Sequence, residues 1–260
     1  MNILDKIVLD KRKEVDLKKS IIPVSQLEAS VLFPRPTVSL ANALRSSNSG
    51  IIAEHKRRSP SKSVINQNNS VADVALGYEK AGACGMSVLT DGKYFGGSLD
   101  DLLLARASVQ MPLLRKEFII DEYQLLEAKA YGADVILLIA AILTRAEIKA
   151  LSEFAKQLRL DVLLEVHDED ELQKSIMPSL DMLGVNNRNL KTFEVSLDTS
   201  KTLSKFIPDD FVKVSESGIS SIEAIQELKP YGYQGFLIGE NFMKTDNPGL
   251  SALQFIKSIK

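Results

Sequence analysis

Residues 134–167 read DVILLIAAILTRAEIKALSEFAKQLRLDVLLEVH and contain the unit from which the rest of the chain is built. Two apolar runs, at 134–140 and 161–167, flank a segment whose apolar residues recur at helical spacing. Apolar runs without polar alternation are typical of strands buried on both faces of a parallel sheet. Thr144 is a suitable N-cap for the helix between them. The stretch therefore predicts a strand, a helix and a second strand.

The same alternation recurs along the chain. Asp121 is a further candidate N-cap, and Gly132 and Gly232 are candidate helix terminators. Eight strand–helix pairs in about 250 residues predict an α/β fold, a (β/α)8 TIM barrel. The alternative is an open doubly wound sheet, but its G-x-G-x-x-G turn does not follow the first strand. The other apolar runs lie near 51–56, 85–90, 112–118, 182–188, 211–217 and 235–240.

An N-terminal helical extension is predicted to precede the barrel, because the first apolar run begins only near residue 51. Residues 3–19 have amphipathic helical spacing, and Pro34-Arg35-Pro36 separates them from the next apolar segment. We expect the extension to cover the bottom of the barrel or to flank its top, where it could close over a substrate. Without a linker-like segment, residues 1–260 are predicted to form one domain, with the extension at 1–50 and the barrel at 51–260.

Composition and charge narrow the functional classes. A net charge of −2 and a pI of about 5.9 argue against a general nucleic-acid binder. No apolar run approaches a membrane span, and the N-terminus lacks the apolar core of a signal peptide. The lone Cys84 excludes an intrachain disulfide, and two histidines without a carboxylate–histidine cluster predict that no metal is bound. We expect a cytoplasmic monomer or weak homodimer that binds neither nucleic acid nor membrane.

Polar residues end several predicted strands, and in a barrel of this kind these carboxyl ends form the active site. Each residue alone could be a solvated strand end or a turn former. Two lysines and two glutamates around one mouth are costly unless they pair or serve catalysis, so together they predict an active site. The strand-end residues are Glu54, Lys56, Lys116, Glu165, Asn186, Arg188, Ser215 and Ser217, with Phe118, Leu137 and Leu190 lining the mouth.

A phosphate site is predicted in the loops after the seventh and eighth runs. Ser217-Gly218 and Gly239-Glu240 stand where these barrels usually bind phosphate. Glycine lets the backbone approach an anion, and the N–H groups that follow can point at its oxygens. Lys56 supplies a counter-charge, whereas Glu240 is expected to contribute only its N–H.

Other polar residues near the first and fifth apolar runs are not assigned to the group of two lysines and two glutamates at the mouth. Strand alternation directs His55 toward the helices, where it is expected to be structural. Arg57 and Arg58 are interpreted as part of a solvated loop, although one could reach the substrate rim. Ser59 is expected at the mouth as a small hydroxyl, and His167 at the rim beyond Glu165.

Seven motifs in order resemble the indole-3-glycerol phosphate synthase family. The resemblance runs from about residue 3 to the C-terminus. Two positions depart from it, since His55 stands where the family usually has an aliphatic residue and Ser63 where it often has glycine. The motifs are AEHKRRSPSK, LRKEFI, ILLIAAIL, LLEVHDEDEL, GVNNRNLKTF, SESGI and GFLIGE.

The resemblance implies ring closure, decarboxylation and dehydration of 1-(2-carboxyphenylamino)-1-deoxyribulose 5-phosphate to indole-3-glycerol phosphate. This carboxy-lyase step of tryptophan biosynthesis needs no metal or organic cofactor. Lys116 would protonate the ketone oxygen, while Glu165 with Lys56 and Glu54 would form a second acid–base set and Asn186 would orient the substrate. Substrate contacts are expected from Ser59, Phe118, Leu137, Arg188, Leu190, Glu216 and Ser217, and phosphate contacts from Lys56, Ser217, Gly218, Gly239 and Glu240.

Three other functions remain as alternatives. Phosphoribosylanthranilate isomerase also uses a phosphate-binding barrel, but it commonly has a cysteine near the start of the first strand, where Ile51-Ile52-Ala53-Glu54 offers none. A Schiff-base aldolase would use Lys116 as its amine nucleophile. A non-catalytic sensor of phosphate ligands would have no need for two lysines and two glutamates at one mouth.

Overall fold

Eight parallel strands close into a barrel in chain order, the first pairing with both the second and the eighth. The closed barrel confirms the predicted (β/α)8 class and excludes the open sheet. The computed structural model describes residues 3–59, 64–190 and 192–259. The strands are β1 (Ile51–His55), β2 (Gly85–Leu89), β3 (Leu113–Lys116), β4 (Val135–Ile139), β5 (Asp161–Val166), β6 (Met182–Asn186), β7 (Val212–Glu216) and β8 (Tyr233–Ile238).

Helices precede the barrel, connect its strands and follow the last strand. Short 3-10 helices occur at Ala140–Ile142, Ser204–Phe206 and Lys229–Tyr231. None of the described helices is long and apolar enough to cross a membrane. The α-helices are α1 (Ile3–Ile21), α2 (Val24–Glu28), α3 (Leu40–Arg45), α4 (Val71–Ala81), α5 (Gly92–Phe95), α6 (Leu99–Ser108), α7 (Glu122–Ala130), α8 (Arg145–Gln157), α9 (Glu169–Ser175), α10 (Asp198–Leu203), α11 (Ile222–Leu228), α12 (Glu240–Met243) and α13 (Pro248–Ser258).

The predicted capping and terminating residues stand at the ends of helices. The Asp121 side chain accepts a hydrogen bond from the Tyr123 N–H at the start of α7. Thr144 forms a capping box with Glu147 at the start of α8. Gly132 and Gly232 both have a φ of 86°, a left-handed conformation that suits glycine and ends a helix.

Alternate strand residues divide between two apolar layers. Ile52, Leu114 and Leu137 point into the barrel, where they pack on one another. Their neighbours, such as Ile51 and Ala53, face the surrounding helices in the larger core. This alternation is the period of two that a strand imposes. It sends every second strand-end residue toward the carboxyl mouth of the barrel.

Helix α3 of the N-terminal extension closes the amino end of the barrel. Leu40 and Leu44 are buried and pack on the inward-facing strand residues. Two glycines leave room for them, because a Cβ on Gly85 would lie 2.7 Å from Leu40 Cδ1 and one on Gly235 would lie 3.2 Å from Leu44 Cδ1. The extension therefore covers the bottom of the barrel, one of the two positions expected for it.

Helix α1 occupies the other expected position, beside the carboxyl mouth. A buried lysine holds it there, since Lys11 Nζ lies 3.0 Å from Asp91 Oδ2 and 3.1 Å from Glu117 Oε1. Burial alone would lower the pKa of Lys11, but Glu117, Asp91 and Glu14 outweigh it and raise the pKa. The expected organisation of residues 1–260 as one domain stays a prediction. Ser63, one of the two departures from the family pattern, lies outside the described residues.

Candidate active site

A cavity of about 400 Å³ opens at the carboxyl end of the barrel. Strand ends supply its floor, and the loops that follow them supply its walls. Almost every residue predicted for the site lines it; Glu216 does not, although it contacts Lys116, which does. The predicted residues that line the cavity are Glu54, Lys56, Ser59, Lys116, Phe118, Leu137, Glu165, Asn186, Arg188, Leu190, Ser217, Gly218, Gly239 and Glu240.

Lysines and glutamates alternate in a chain of contacts across the cavity floor. Lys56 Nζ lies 2.7 Å from Glu54 Oε1, and Lys116 Nζ lies 3.3 Å from Glu54 Oε2. On its other side Lys116 Nζ lies 2.8 Å from Glu216 Oε2. The two carboxylates are almost fully buried, whereas the lysines keep part of their surface in the cavity. Lys116 is thus held between two buried carboxylates and remains accessible to a ligand.

These contacts set opposite pKa shifts for the two carboxylates. Burial would raise the pKa of Glu54, but Lys56 and Lys116 outweigh it and lower the pKa to about 2. Burial raises the pKa of Glu216 to about 7, with Glu165 acting in the same direction and Lys116 against it. Burial would lower the pKa of Lys116, but Glu216, Glu54 and Glu165 raise it above its usual value. At neutral pH the floor therefore offers a charged amine beside a carboxyl group close to its titration point.

Two glycines make room for the buried carboxylates. A Cβ on Gly184 would lie 2.6 Å from Glu216 Oε1, and one on Gly239 would lie 2.4 Å from Glu54 Oε1. Gly239 was predicted for phosphate contact alone, and Gly184 was not predicted at all. A glycine inside an apolar strand was the available signal for Gly184, because glycine there often marks a close approach of another group.

The prediction that Ser215 faces the mouth is wrong. Its Oγ accepts a hydrogen bond from Asn187 Nδ2 at 2.9 Å and lies 2.9 Å from Ser200 Oγ, in the layer outside the barrel. Glu216 is the inward residue at the end of β7, as the inward Val212 and Val214 before it require. Ser217 has a φ of 64°, so the strand period does not continue past Glu216. Counting alternation from Val212 would have placed Glu216 correctly.

The loops predicted to hold phosphate bring backbone close to the cavity. Ser217 and Gly218 have consecutive positive φ values of 64° and 79°, which turn the chain sharply after β7. A Cβ on Gly218 would lie 2.6 Å from Val195 Cγ1, so glycine is needed for the loop after β6 to pack there. Gly239 is the N-cap of α12, whose first turn presents N–H groups that intrahelical bonding does not use.

Apolar side chains make up a large part of the cavity lining. Phe118 and Leu137 are predicted members, and the Phe118 ring lies 6.0 Å from that of Phe95. The contributions of helix α1 and of the strand ends at 89 and 139 were not predicted, because they depend on how distant segments pack. The unpredicted apolar residues that line the cavity are Ile3, Leu4, Ile7, Leu89, Phe95, Ile139, Phe193, Val195, Ile219, Leu237 and Ile238.

The loop after β6 is folded back over the cavity. Asn186 Oδ1 accepts a hydrogen bond from the Arg188 N–H at 3.0 Å, and Arg188 Nη1 donates to the Phe193 carbonyl at 3.2 Å. Arg188 also forms an antiparallel bridge with Val195. These bonds fix the loop so that Asn186 and Arg188 both reach the cavity.

The interpretation of Arg57 and Arg58 as a solvated loop is wrong. The Arg57 guanidinium pairs with the Asp101 carboxylate, with Nη2 2.8 Å from Oδ1, and donates to the Gly96 carbonyl at 3.1 Å. Arg58 Nη2 donates to the carbonyls of Gly92 at 2.7 Å and Lys93 at 3.0 Å. Both arginines fasten the loop after β1 to the segment after β2, and neither lines the cavity.

The two histidines lie in different surroundings. His55 is buried and faces the helices, and burial together with Arg57 lowers its pKa to about 4. His167 lies beside Glu165, with Nε2 3.4 Å from Glu165 Oε1, but it does not line the cavity, so the expected rim position is wrong. Within the described ranges, no group of three or more His, Cys, Asp or Glu side chains could hold a metal ion.

Comparison with known families gives one consistent match. The family model for indole-3-glycerol phosphate synthase matches residues 4–255. The indole-3-glycerol phosphate synthase of Bacteroides thetaiotaomicron is 49% identical over 259 residues, covering 100% of this chain and 99% of that protein. That of Polaromonas sp. is 43% identical, covering 97% of each chain, and that of Albidiferax ferrireducens is 42% identical, covering 96% of each.

Comparison with solved structures supports the fold alone. The crystal structure of KGPDC from Streptococcus mutans superposes with a TM-score of 0.61 at 13% identity, covering 80% of this chain and 96% of that chain. A native KDPGal structure superposes with a TM-score of 0.55 at 12% identity, covering 79% and 90%. Identities this low carry the barrel architecture and no activity.

Proposed function

Because this chain belongs to the indole-3-glycerol phosphate synthase family, we propose that it is a carboxy-lyase of tryptophan biosynthesis. Its substrate is 1-(2-carboxyphenylamino)-1-deoxyribulose 5-phosphate, and its products are indole-3-glycerol phosphate, carbon dioxide and water. The observation that carries the proposal is the placement of Lys116 between Glu54 and Glu216 on the floor of the cavity. The family supplies the reaction, and this geometry supplies the groups that the reaction needs.

Lys116 is the acid for ring closure. When the aromatic ring carbon attacks the ketone, negative charge develops on the ketone oxygen and must be stabilised and protonated. The carboxylates around Lys116 raise its pKa and keep it charged at neutral pH. A charged amine with part of its surface in the cavity can both stabilise the developing alkoxide and give it a proton.

Glu165, Lys56 and Glu54 serve the later steps. Loss of carbon dioxide restores a neutral ring, and loss of the hydroxyl group then requires an acid and a base on the substrate. Glu165 and Lys56 line the cavity, while Glu54 holds Lys56 at 2.7 Å. Asn186, whose loop is tied to Arg188, orients the substrate between these groups.

The phosphate lies against the loops after β7 and β8. Ser217, Gly218, Gly239 and the N–H of Glu240 contact its oxygens, and Lys56 balances its charge. Consecutive left-handed residues after β7 and the first turn of α12 at the cavity support this placement. The Glu240 side chain turns away from the anion.

The aromatic end of the substrate lies in the apolar part of the cavity. Phe118, Leu137 and Leu190 form its slot, and all three line the cavity. Arg188 and Ser59 contact the polar edge of the substrate, where Arg188 can meet the ring carboxylate. Glu216 acts through Lys116, its partner at 2.8 Å, and thereby contributes to substrate binding.

The reaction requires no metal and no organic cofactor under this proposal, since the side chains supply the acids and bases. The protein works in the cytoplasm as a monomer or weak homodimer on a small phosphorylated substrate, without nucleic acid or membrane. The acidic pI of about 5.9 supports the exclusion of nucleic acid.

The test is to supply the carboxyphenylamino-deoxyribulose phosphate to the purified protein in the presence of a metal chelator. Indole fluorescence should rise as carbon dioxide is released in equal amount, and no product would contradict the proposal. N-(5-phosphoribosyl)anthranilate should remain unchanged, whereas its isomerisation would favour the isomerase alternative.

Borohydride trapping during the same assay distinguishes the proposed reaction from that of a Schiff-base aldolase. A Schiff base requires an uncharged amine, and Lys116 is held in its charged form. Borohydride added during turnover should therefore leave no covalent adduct on Lys116. A trapped adduct at this lysine would favour Schiff-base chemistry.

A further inference from the structure

His167 connects two carboxylates immediately behind the cavity floor. It follows β5 directly, one residue beyond Val166, and its side chain is 12% exposed. Nε2 lies 3.4 Å from Glu165 Oε1, and Nδ1 lies 3.1 Å from Glu171 Oε2 in α9. The imidazole therefore spans from a helix in the outer layer to a glutamate that lines the cavity.

The contact with Glu171 fixes the ring without using its other nitrogen. Glu171 Oε2 also accepts the backbone N–H of His167 at 2.8 Å, so the carboxylate holds both ends of this residue. Nε2 is buried and has no hydrogen-bond partner among the described residues. A buried polar atom without a partner is costly in a purely structural role, and this one faces Glu165.

We propose that His167 is a positioning residue, an imidazolium that bridges Glu171 and Glu165 and holds the Glu165 carboxylate in its working orientation. The inference rests on the proposed function, because it assigns Glu165 to the same reaction. His167 itself does not line the cavity, so it acts through Glu165 and not on the substrate.

The charges around His167 favour its protonated form. Glu165 contacts it from β5 and Glu171 from α9, while Glu216 of β7 acts on it through its charge and is itself paired with Lys116 of β3. Burial would lower the pKa of His167, but the bond to Glu171 and the charges of all three glutamates outweigh it and raise the pKa. The surroundings of the ring therefore favour the charged imidazolium more than water does.

A cation behind Glu165 also distinguishes it from the adjacent carboxyl group of Glu216. His167 Nε2 lies 3.4 Å from Glu165 Oε1, whereas Lys116 Nζ lies 2.8 Å from Glu216 Oε2. Each of the two carboxylates therefore has its own basic neighbour, and His167 is the one that positions Glu165.

Three substitutions distinguish the contacts made by the ring nitrogens from the volume that the ring fills. His167→Leu removes both nitrogens, and kcat should fall about tenfold or more with KM nearly unchanged, because a misplaced catalytic group costs rate. His167→Gln retains a neutral donor near the Nε2 position but no charge, so it should recover only part of the lost kcat at neutral pH. His167→Asn retains a donor only near Nδ1 and should resemble the leucine variant.

The pH dependence of kcat distinguishes positioning of Glu165 by a charged ring from a role of the ring in packing alone. Because the His167 pKa is raised, its charge is present below that pKa and is lost as pH rises through it. Wild-type kcat should therefore decline over that range, whereas the His167→Gln variant should lack this decline. A His167→Leu variant with kcat within twofold of wild type and the same pH profile would overturn the proposal.

Ring NMR tests the bridge independently of activity. With only two histidines in the chain, the ring signals can be assigned by making His55→Leu, the matched substitution, which should leave kcat within twofold. At pH 7 the His167 ring should be protonated and the His55 ring neutral, and Glu165→Gln should lower the His167 pKa. A neutral His167 ring at pH 7 would overturn the proposal even if a variant failed to fold. If the wild-type protein formed no product, the proposed function would fail, but this titration would still test the bridge.

Discussion

The two ends of the barrel bury carboxylates in different ways. At the amino end Asp134, just before β4, is completely buried. Its Oδ1 accepts from Arg35 Nη2 at 2.6 Å and the Val38 N–H at 2.9 Å. Its Oδ2 accepts from Arg106 Nη1 at 2.8 Å and the Leu113 N–H at 2.9 Å. Both oxygens are fully occupied by groups that belong to the scaffold.

At the carboxyl end Glu216 is as deeply buried, but it is only half satisfied. Lys116 Nζ contacts Oε2 at 2.8 Å, while Oε1 has no hydrogen-bond partner among the residues that the structure describes. Burial and the neighbouring Glu165 raise its pKa to about 7. A carboxyl group in this state can exchange a proton near neutral pH.

The difference separates structural from functional charge in one fold. A buried charge that binds backbone N–H groups and arginines at fixed distances stabilises the assembly of segments. A buried carboxylate with one oxygen that accepts no hydrogen bond, beside a lysine that reaches a cavity, lowers stability but can take part in acid–base catalysis. The N-terminal extension contributes to both ends, since α3 closes the amino end and α1 borders the cavity.

Asp134→Asn should have the largest effect on stability. The amide retains the shape but removes the charge opposite buried Arg106 and turns donors toward donors. Breaking a buried pair in this way should lower the free energy of unfolding by about 3–5 kcal/mol, measured by urea denaturation, with kcat nearly unchanged. Asp209→Asn, at a fully exposed carboxylate, is the control and should change little. A tenfold loss of kcat in the folded Asp134→Asn variant would break the separation of the two ends.

Leu44→Ala should destabilise the protein somewhat less. Leu44 is 1% exposed where α3 closes the barrel, so truncation leaves a cavity and should cost about 2–4 kcal/mol of unfolding free energy. The same substitution at Leu17, which is 64% exposed on α1, is the control. Equal losses at the two positions would contradict the closing role of α3.

Glu216→Gln should have a smaller effect that depends on pH. Because the folded-state pKa of Glu216 is raised to about 7, its favourable contribution is present below the unfolded pKa and is lost as pH rises toward 7. Wild-type stability should therefore fall relative to that of the variant by about 1–3 kcal/mol between pH 5 and 8. Denaturation curves for the two proteins at several pH values test this. The same pH dependence of stability in both proteins would contradict the raised pKa of Glu216.

Local sequence pattern predicted most of the barrel and the identity of its charged mouth. Apolar runs at 134–140 and 161–167 became β4 and β5, and alternation correctly directed Glu54, Lys116 and Glu165 inward. These predictions succeed because the strand period and the carboxyl-end rule depend only on neighbouring residues and topology.

The predictions that failed depend on contacts between distant segments or on an irregular backbone. Ser215 was directed inward because the strand period was extended through Ser217, whose left-handed φ ends it. The partner of Arg57 lies 44 residues away at Asp101, so no local pattern could have identified it. The same holds for the part of α1 that lines the cavity, since its position depends on Lys11 and its buried carboxylate partners.

Turnover in the Lys116→Met variant shows whether the charged carboxyl end of the barrel performs the chemistry. Methionine matches the unbranched lysine side chain up to Cε and removes the proton donor between Glu54 and Glu216. With substrate binding measured by calorimetry and product by indole fluorescence, we predict binding within a few-fold of wild type and turnover lower by about a hundredfold or more. Turnover within a few-fold of wild type would contradict the assignment of Lys116 as the acid.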